Sequence, residues 1–166
     1  MSTSQSKYTV LKTTLRPATL SDADLCFSLH ALAMRPLISQ IWGWDEGTQR
    51  SYFARSWDPE STQIVLVDGL PRGVLVLKEC DADETWIGVG QKGTIYLSRI
   101  ELDPAVQGQG VGTELIEGVK QRAKERGMKV SLEVWAINSQ ARALYDRLEF
   151  QVAREEGGKV YMSWEP

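Results

Sequence analysis

The chain is short of the residues that build metal sites and redox centres. It has one histidine, His30, and two cysteines, Cys26 and Cys80, among 166 residues. A zinc site draws on several His and Cys ligands at set spacings, and His30 has no such companions, so no metal is expected. The cysteines form no Cys-x-x-Cys pair, and two free buried thiols are expected rather than a disulfide. A basic surplus is also missing, because the formal net charge is -3. Nucleic-acid-binding domains carry excess Lys and Arg to meet phosphates, so no nucleic acid partner is expected. No apolar run approaches the roughly 20 residues of a membrane span. Met1–Lys7 is polar and lacks the apolar stretch of a signal peptide. The expectation is a cytoplasmic protein without a membrane partner, disordered over 1–7 and folded as one domain over 8–166. Hydrophobic residues make up 42% and charged residues 25%, the balance of a globular domain. A chain of this length buries about two thirds of its unfolded surface and needs no staples.

Periodicity orders the elements. Tyr8–Leu15 alternates as an edge strand that Arg16-Pro17 stops. Ser21 or Asp22 is placed to cap a helix whose apolar residues recur from Leu25 to Leu32. Pro36 interrupts that pattern, Leu37–Trp42 continues as a second stretch, and Asp45–Trp57 reads as another helix. Ile64–Val67 and Gly73–Leu77 read as strands joined through Asp68-Gly69, a hairpin signal. Asp81–Lys92 reads as a loop and Thr94–Leu102 as a strand. Val111, Leu115, Val119 and Ala123 share one helical face, and Gly127 ends that helix. Val130–Ala136 alternates as a strand. Ser139–Leu148 is a helix with Ala141, Leu144, Tyr145 and Leu148 on one face. Phe150–Trp164 closes as a hairpin around Gly157-Gly158. The order implies an α/β domain with a mixed sheet.

The segment Ile100–Thr113, IELDPAVQGQGVGT, lies between a strand and the clearest helix. A glycine-rich turn at a helix N-terminus presents unpaired N–H groups and the positive end of the helix dipole. Such a turn suits a phosphate or pyrophosphate. Without a ligand, it is simply a glycine-rich connection. A Walker A loop would need a Gly-Lys-Ser/Thr ending, and the turn has no lysine. A dinucleotide fingerprint would need a third glycine at position 113, where Thr113 stands. The pattern Q/R-x-x-G-x-G/A is met in full by Gln107, Gly110 and Gly112.

That pattern, followed by SLEVWAINSQARALYDRLEF, resembles the GNAT superfamily of N-acetyltransferases. Asn138, Ala141, Leu144, Tyr145 and Phe150 fall on its second-half motif. The core is most similar to the bacterial ribosomal-protein N-terminal acetyltransferases, in which Leu-Glu-Val also carries a Glu twelve residues before the Tyr, as Glu133 and Tyr145 do here. The resemblance covers about Leu15 to Trp164 and is specific over Ile100–Phe150. It implies a mostly antiparallel central sheet of about seven strands flanked by about four helices, with a splayed fourth strand. A shift of apolar phase from Ile95 and Leu97 to Ile100 and Leu102 agrees with a bulge there. One departure stands out: the family usually has Gly before the Phe, and this chain has Glu149, a non-Gly residue at a left-handed helix end that costs about 1 kcal/mol.

The resemblance implies acetyl-CoA as the acetyl donor. Its pyrophosphate would lie on Gln107, Gly108, Gln109, Gly110, Val111, Gly112 and Thr113, and its pantetheine arm on the backbone of Ile100 and Leu102. Asn138 and Ala141 would sit beside it, although Asn138 can equally cap its helix. Acetyl transfer to an amine needs a base, an oxyanion donor and an acid, because a lysine-like amine has a pKa of about 10.4 and is protonated at neutral pH. Tyr145 matches the acid and Glu133 the base, with Glu101 as rival, and a backbone N–H near Leu102 is the oxyanion donor. Read without the motif, Tyr145 is a core tyrosine and Glu133 a solvent-facing strand residue. Neither cysteine matches a nucleophile, so direct attack in a ternary complex is expected. Arg35, Trp42 and Trp44 are candidates to bind the acceptor, a small-molecule or peptide amine, with Asp45 or Glu46 attracting its cation. The tryptophans can equally pack helices on the sheet. A non-catalytic coenzyme A-binding sensor or interaction module is the alternative. The tail hairpin offers a surface for a homodimer.

Overall fold

The computed structural model describes residues 10–80 and 93–166. Met1–Lys7, the Tyr8 start of the first strand and the expected loop Asp81–Lys92 lie outside the described residues. Within them the elements follow the order read from the sequence. They are β1 (Thr13–Pro17), α1 (Ala23–Ile41), α2 (Glu46–Ser56), β2 (Thr62–Val67), β3 (Leu70–Cys80), β4 (Thr94–Leu102), α3 (Val111–Glu125), β5 (Lys129–Trp135), α4 (Ser139–Arg147), β6 (Gln151–Glu156) and β7 (Lys159–Trp164). The seven strands form one sheet in the order β1-β2-β3-β4-β5-β7-β6. Its pairings are antiparallel except that of β4 with β5, which is parallel. Among the described residues, no helix is long and apolar enough to cross a membrane. Cys26 and Cys80 are free and buried, as expected.

Alternation along the strands gives the sheet two apolar faces. Val130, Leu132 and Val134 of β5 join Ile116 and Val119 of α3, Tyr145 of α4 and Leu148 at its C-cap in one core cluster. On the opposite face, Ile64 and Val74 pack with Cys26, Phe27 and Leu29 of α1 and Phe53 of α2. Ser131, Glu133 and Trp135 alternate with the β5 core residues and point to this second face. The four α3 residues read as one face, Val111, Leu115, Val119 and Ala123, are all buried.

Three sequence expectations need correction. Pro36 does not interrupt α1, which runs unbroken from Ala23 to Ile41. Pro36 and Leu32 are both exposed, so the Leu32 carbonyl that the proline leaves unpaired faces water. The first strand continues through Arg16-Pro17 rather than stopping before them. It is an edge strand, where a missing N–H is tolerated. Of the two cap candidates, Asp22 takes the N-cap position of α1 and Ser21 does not, but the Asp22 side chain makes no capping bond into the helix. Its carboxylate accepts from the Thr19 N–H at 2.8 Å and from Arg16 at 2.9 Å, closing a short turn before the helix.

The end of α4 meets the expectation at Glu149, which has a φ of +66°. The Phe150 N–H donates to the Tyr145 carbonyl at 3.0 Å and the Glu149 N–H to that of Asp146 at 3.1 Å. These two bonds make a left-handed helix cap, and its usual apolar contact is present: the Tyr145 and Phe150 rings lie 5.7 Å apart. A side chain in this conformation is strained. Glu149→Gly is therefore expected to raise stability by about 1 kcal/mol, read as a higher urea midpoint at unchanged slope. An unmoved midpoint would mean that the turn carries no strain.

Candidate functional site

The site starts where β4 and β5 separate. They pair only at Thr94–Lys129, Ile95–Val130 and Tyr96–Ser131. One residue further on, the register of β4 against β3 slips: Val76 faces Arg99 and Leu77 faces Leu97, leaving Ser98 unopposed. This is the expected bulge. Beyond it, Leu97–Leu102 has β3 on one side and no strand on the other, while β5 goes on to pair with β7. The result is a slot between strands that splay.

The chain leaves β4 through a tied turn. Asp103 accepts from the Ala105 N–H and from Arg72, each at 2.9 Å. The Gln107 side chain donates to the Leu102 carbonyl and that of Gln109 to the Ala105 carbonyl, both at 2.8 Å. The two glutamines thus hold the loop with their side chains. Gly108 and Gly110 have φ of +71° and +86°, and a Cβ on either would enter open space. Gly112 differs: a Cβ there would meet the Leu144 side chain at 3.3 Å, so this glycine lets α4 approach α3. The first backbone bond of α3 runs from the Glu114 N–H to the Gly110 carbonyl, at 3.0 Å, which leaves the N–H groups of Gly110 through Thr113 without a partner inside the helix. Consecutive free N–H groups at a helix start form an anion cradle.

The other candidates divide between the two faces of the sheet. Tyr145 belongs to the α3–α4 face, 6% exposed, and burial pushes its hydroxyl up to about 12. Ala141 of α4 packs at the rim of the same cluster. Asn138 caps α4, its carbonyl oxygen accepting from the Ala141 N–H at 3.2 Å. Glu133 lies on the opposite face, bonded to Lys159 Nζ at 2.7 Å. Tyr96 shares that face and is also pushed up to about 12, by burial first and then by the negative charges of Glu133 and Tyr161. Glu101 stands across the slot on β4, buried, with both carboxylate oxygens near His30 Nδ1, at 3.0 and 3.1 Å. Sequence reading weighed His30 only as a zinc ligand and missed this contact.

Of the expected acceptor residues, Trp42 alone reaches the open end of the slot. It is 65% exposed and packs edge-on against Trp135, with ring centres 5.0 Å apart. Lys159 Nζ sits 4.8 Å over the Trp135 ring. Trp44 lies 6.3 Å from the His30 ring and donates to Glu46 at 3.2 Å. Arg35 lies 4.8 Å over Trp44 and bonds Glu46 at 3.4 Å. Asp45 caps α2 through the Thr48 N–H at 2.7 Å. A groove of about 350 Å³ between β1–β3 and α3 holds none of these residues. No cluster of three or more His, Cys, Asp or Glu able to hold a metal occurs among the described residues.

Residues 28–150 match the model of the acetyltransferase (GNAT) family. An uncharacterized N-acetyltransferase of Methanocaldococcus jannaschii is 30% identical over 152 residues, 87% of this chain and 63% of that protein. The chain thus spans less than two thirds of that relative's length. Among solved structures, the fold is similar to an N-acetyltransferase from Thermoplasma acidophilum in complex with coenzyme A. Its TM-score is 0.73 at 16% identity, over 93% of this chain and 99% of that one. The ribosomal-protein-S18-alanine N-acetyltransferase of Escherichia coli gives a TM-score of 0.64 at 20% identity, covering 93% of this chain and 94% of that chain.

Burial at Tyr145 has a direct readout. Because its raised value keeps it protonated, phenolate absorbance at about pH 10.5 is expected to be equal in wild type and Tyr145→Phe. An excess of one phenolate in the wild type would show the ring to be wetter than its packing indicates.

Proposed function

The chain belongs to the acetyltransferase (GNAT) family, and on that premise we propose that it moves the acetyl group of acetyl-CoA to a primary amine by direct attack in a ternary complex. The observation that carries this reading is the glycine-rich start of α3, where the N–H groups of Gly110 through Thr113 have no partner inside the helix, beside two splayed strands. A pyrophosphate suits such a cradle in charge and in hydrogen bonding. The glycines at 108 and 110 keep the approach open. The structural neighbour from T. acidophilum was solved with coenzyme A, which supports acetyl-CoA as the cosubstrate. In this reading Gln107 shapes the cradle, the N–H groups from Gly108 through Gln109, Gly110, Val111 and Gly112 to Thr113 hold the pyrophosphate, and the backbone of Ile100 and Leu102 holds the pantetheine arm. Asn138 and Ala141 border it from α4.

The division of the candidates between two faces supports direct attack. Tyr145 stands on the α3–α4 face, and its raised pKa keeps a proton on the hydroxyl at neutral pH. It gives that proton to the departing thiolate. Glu133 and Glu101 stand on the opposite face, where an ammonium can lose a proton to a carboxylate, directly or through one water. The amine nitrogen then forms the C–N bond, with the growing oxyanion on a backbone N–H near Leu102, and the C–S bond breaks. The ammonium loses two protons in all: one ends on the thiol by way of Tyr145, and the other goes to solvent. The acceptor is a small-molecule or peptide amine that rests on the Trp42–Trp135 wall, with Trp44 and Arg35 bracing it from behind. One domain over 8–166, working in the cytoplasm, completes the reading.

Calorimetry with acetyl-CoA and with CoA is expected to give micromolar binding, abolished by Gly110→Trp. If neither ligand binds the wild type, the reading falls. An amine screen for thiol release should then find an acceptor, with Tyr145→Phe lowering kcat by about 10²-fold at unchanged coenzyme affinity. Binding without thiol release for any amine would instead indicate a coenzyme-binding module.

A further inference from the structure

His30 of α1 and Glu101 of β4 form a contact between helix and sheet. It is buried, with side chains 10% and 7% exposed. Its setting is aromatic: the rings of Phe53, Phe27 and Trp44 lie 6.0, 6.2 and 6.3 Å from the imidazole. Polar groups kept in such a place at the cost of desolvation invite a reason beyond packing. The position supplies one. Glu101 lies on the stretch of β4 that β5 no longer pairs, between Ile100 and Leu102, on the face of the sheet assigned above to the amine.

Charge separates the two carboxylates. Glu133 already faces the Lys159 ammonium at 2.7 Å, so a proton added there leaves that pair with a net positive charge. Glu101 faces an imidazole. With that ring neutral, a proton added to the pair turns a buried net charge of minus one into zero, which a low-dielectric site favours. Few charged groups face the pair from its neighbours. On α1, Cys26 is a neutral thiol pushed up to about 11 by burial first and by the charges of Asp22 and Glu101 next. From α2, Arg50 lies over the Phe27 ring at 4.2 Å. On β4, Arg99 lies over the Phe53 ring at 5.7 Å. On β3, Val74 stands opposite Glu101, and Lys78 is the cation further along.

We propose that His30 and Glu101 form one proton-accepting unit on the acceptor face, in which the Glu101 carboxylate receives the proton of the acceptor ammonium through a water and His30 Nδ1–H positions that carboxylate. The proposal rests on the acetyltransferase reading for its role, but not for its first test. The ammonium N–H bond breaks, the proton goes to the pair, and the electron pair stays on the nitrogen for attack. The pair returns the proton to solvent after turnover. His30 is a positioning residue here, and Glu101 is the group that meets the transferred proton.

Because His30 is the one histidine of the chain, its ring signals in an NMR pH titration are unambiguous in the tag-free protein. Glu101→Gln is expected to shift the ring proton and nitrogen signals at fixed pH, since the ring loses its hydrogen-bonded carboxylate. Unmoved ring signals overturn the pairing, whether or not the protein is a transferase. Failure of the transferase reading shows separately, as absent acetyl-CoA binding. With an active amine, the acid limb of kcat/KM should track the wild-type ring titration. It should move in His30→Asn, whose amide can replace the Nδ1–H donor but does not titrate. Glu101→Gln should lower kcat by about 10²-fold and Glu133→Gln by less than tenfold, with acetyl-CoA affinity kept in all three variants. A limb that stays in place in both His30→Asn and His30→Gln, or a larger loss at Glu133 than at Glu101, overturns the proposal.

Discussion

Everything at the centre of this molecule depends on one extra residue in β4. Ser98 has no opposite number on β3. A strand alternates its side chains between two faces, so an inserted residue reverses the assignment of all that follow. Ile95 and Leu97 face the α3–α4 core before the bulge, and Ile100 and Leu102 face it after. Were the strand to run through Ser98 with regular alternation, Glu101 would point into an apolar core and Leu102 would lie against His30. The bulge also bends β4 away from β5, so their parallel pairing stops after Tyr96. A backbone left without a strand neighbour needs other partners for its polar groups, and an extended amide-bearing arm is a fitting one.

The helix beside this slot is fixed from three sides. Gly112 allows α4 to come close to α3. Lys120, a buried lysine of α3, donates to the Leu148 carbonyl at 3.2 Å and to Glu117 at 3.2 Å, and lies 5.1 Å over the Trp164 ring. A buried ammonium is costly without such partners. Here it satisfies one of the carbonyls that a helix end leaves open. The left-handed turn at Glu149 then carries Phe150 back onto Tyr145. The strain there is tolerated because the surrounding contacts over-determine the turn.

Much of this was legible in the residues. The element order, the two-glycine turn, the α3 face and the bulge all follow from local rules: alternation, helical spacing and the conformational freedom of glycine. Pro36 misled because its effect depends on which way the helix faces, and a solvent-facing proline removes a bond that water replaces. The lone His30 was opaque because its partner is 71 residues away and contact between them is decided by the sheet. Two signals stood in plain view: a histidine among the apolar residues Cys26, Phe27 and Leu29, and a glutamate between Ile100 and Leu102. Each asks for a partner, and neither names the other. Arg35 and Trp44 were opaque for a similar reason. Their position in the chain suggested a pocket wall, but it did not show that Glu46 bonds both of them.

The contact between Trp42 and Trp135 has an optical consequence. Two indoles with centres 5.0 Å apart, their planes at 85°, share their excitation and behave as one chromophore. Its near-ultraviolet circular dichroism depends on the angle between the rings. Trp42 belongs to the end of α1 and Trp135 to the end of β5, so the pair spans the open end of the slot. Any molecule that wedges between these elements, or draws them together, changes the coupling. The protein therefore carries its own label-free gauge of how wide that end stands, and needs no dye to report it.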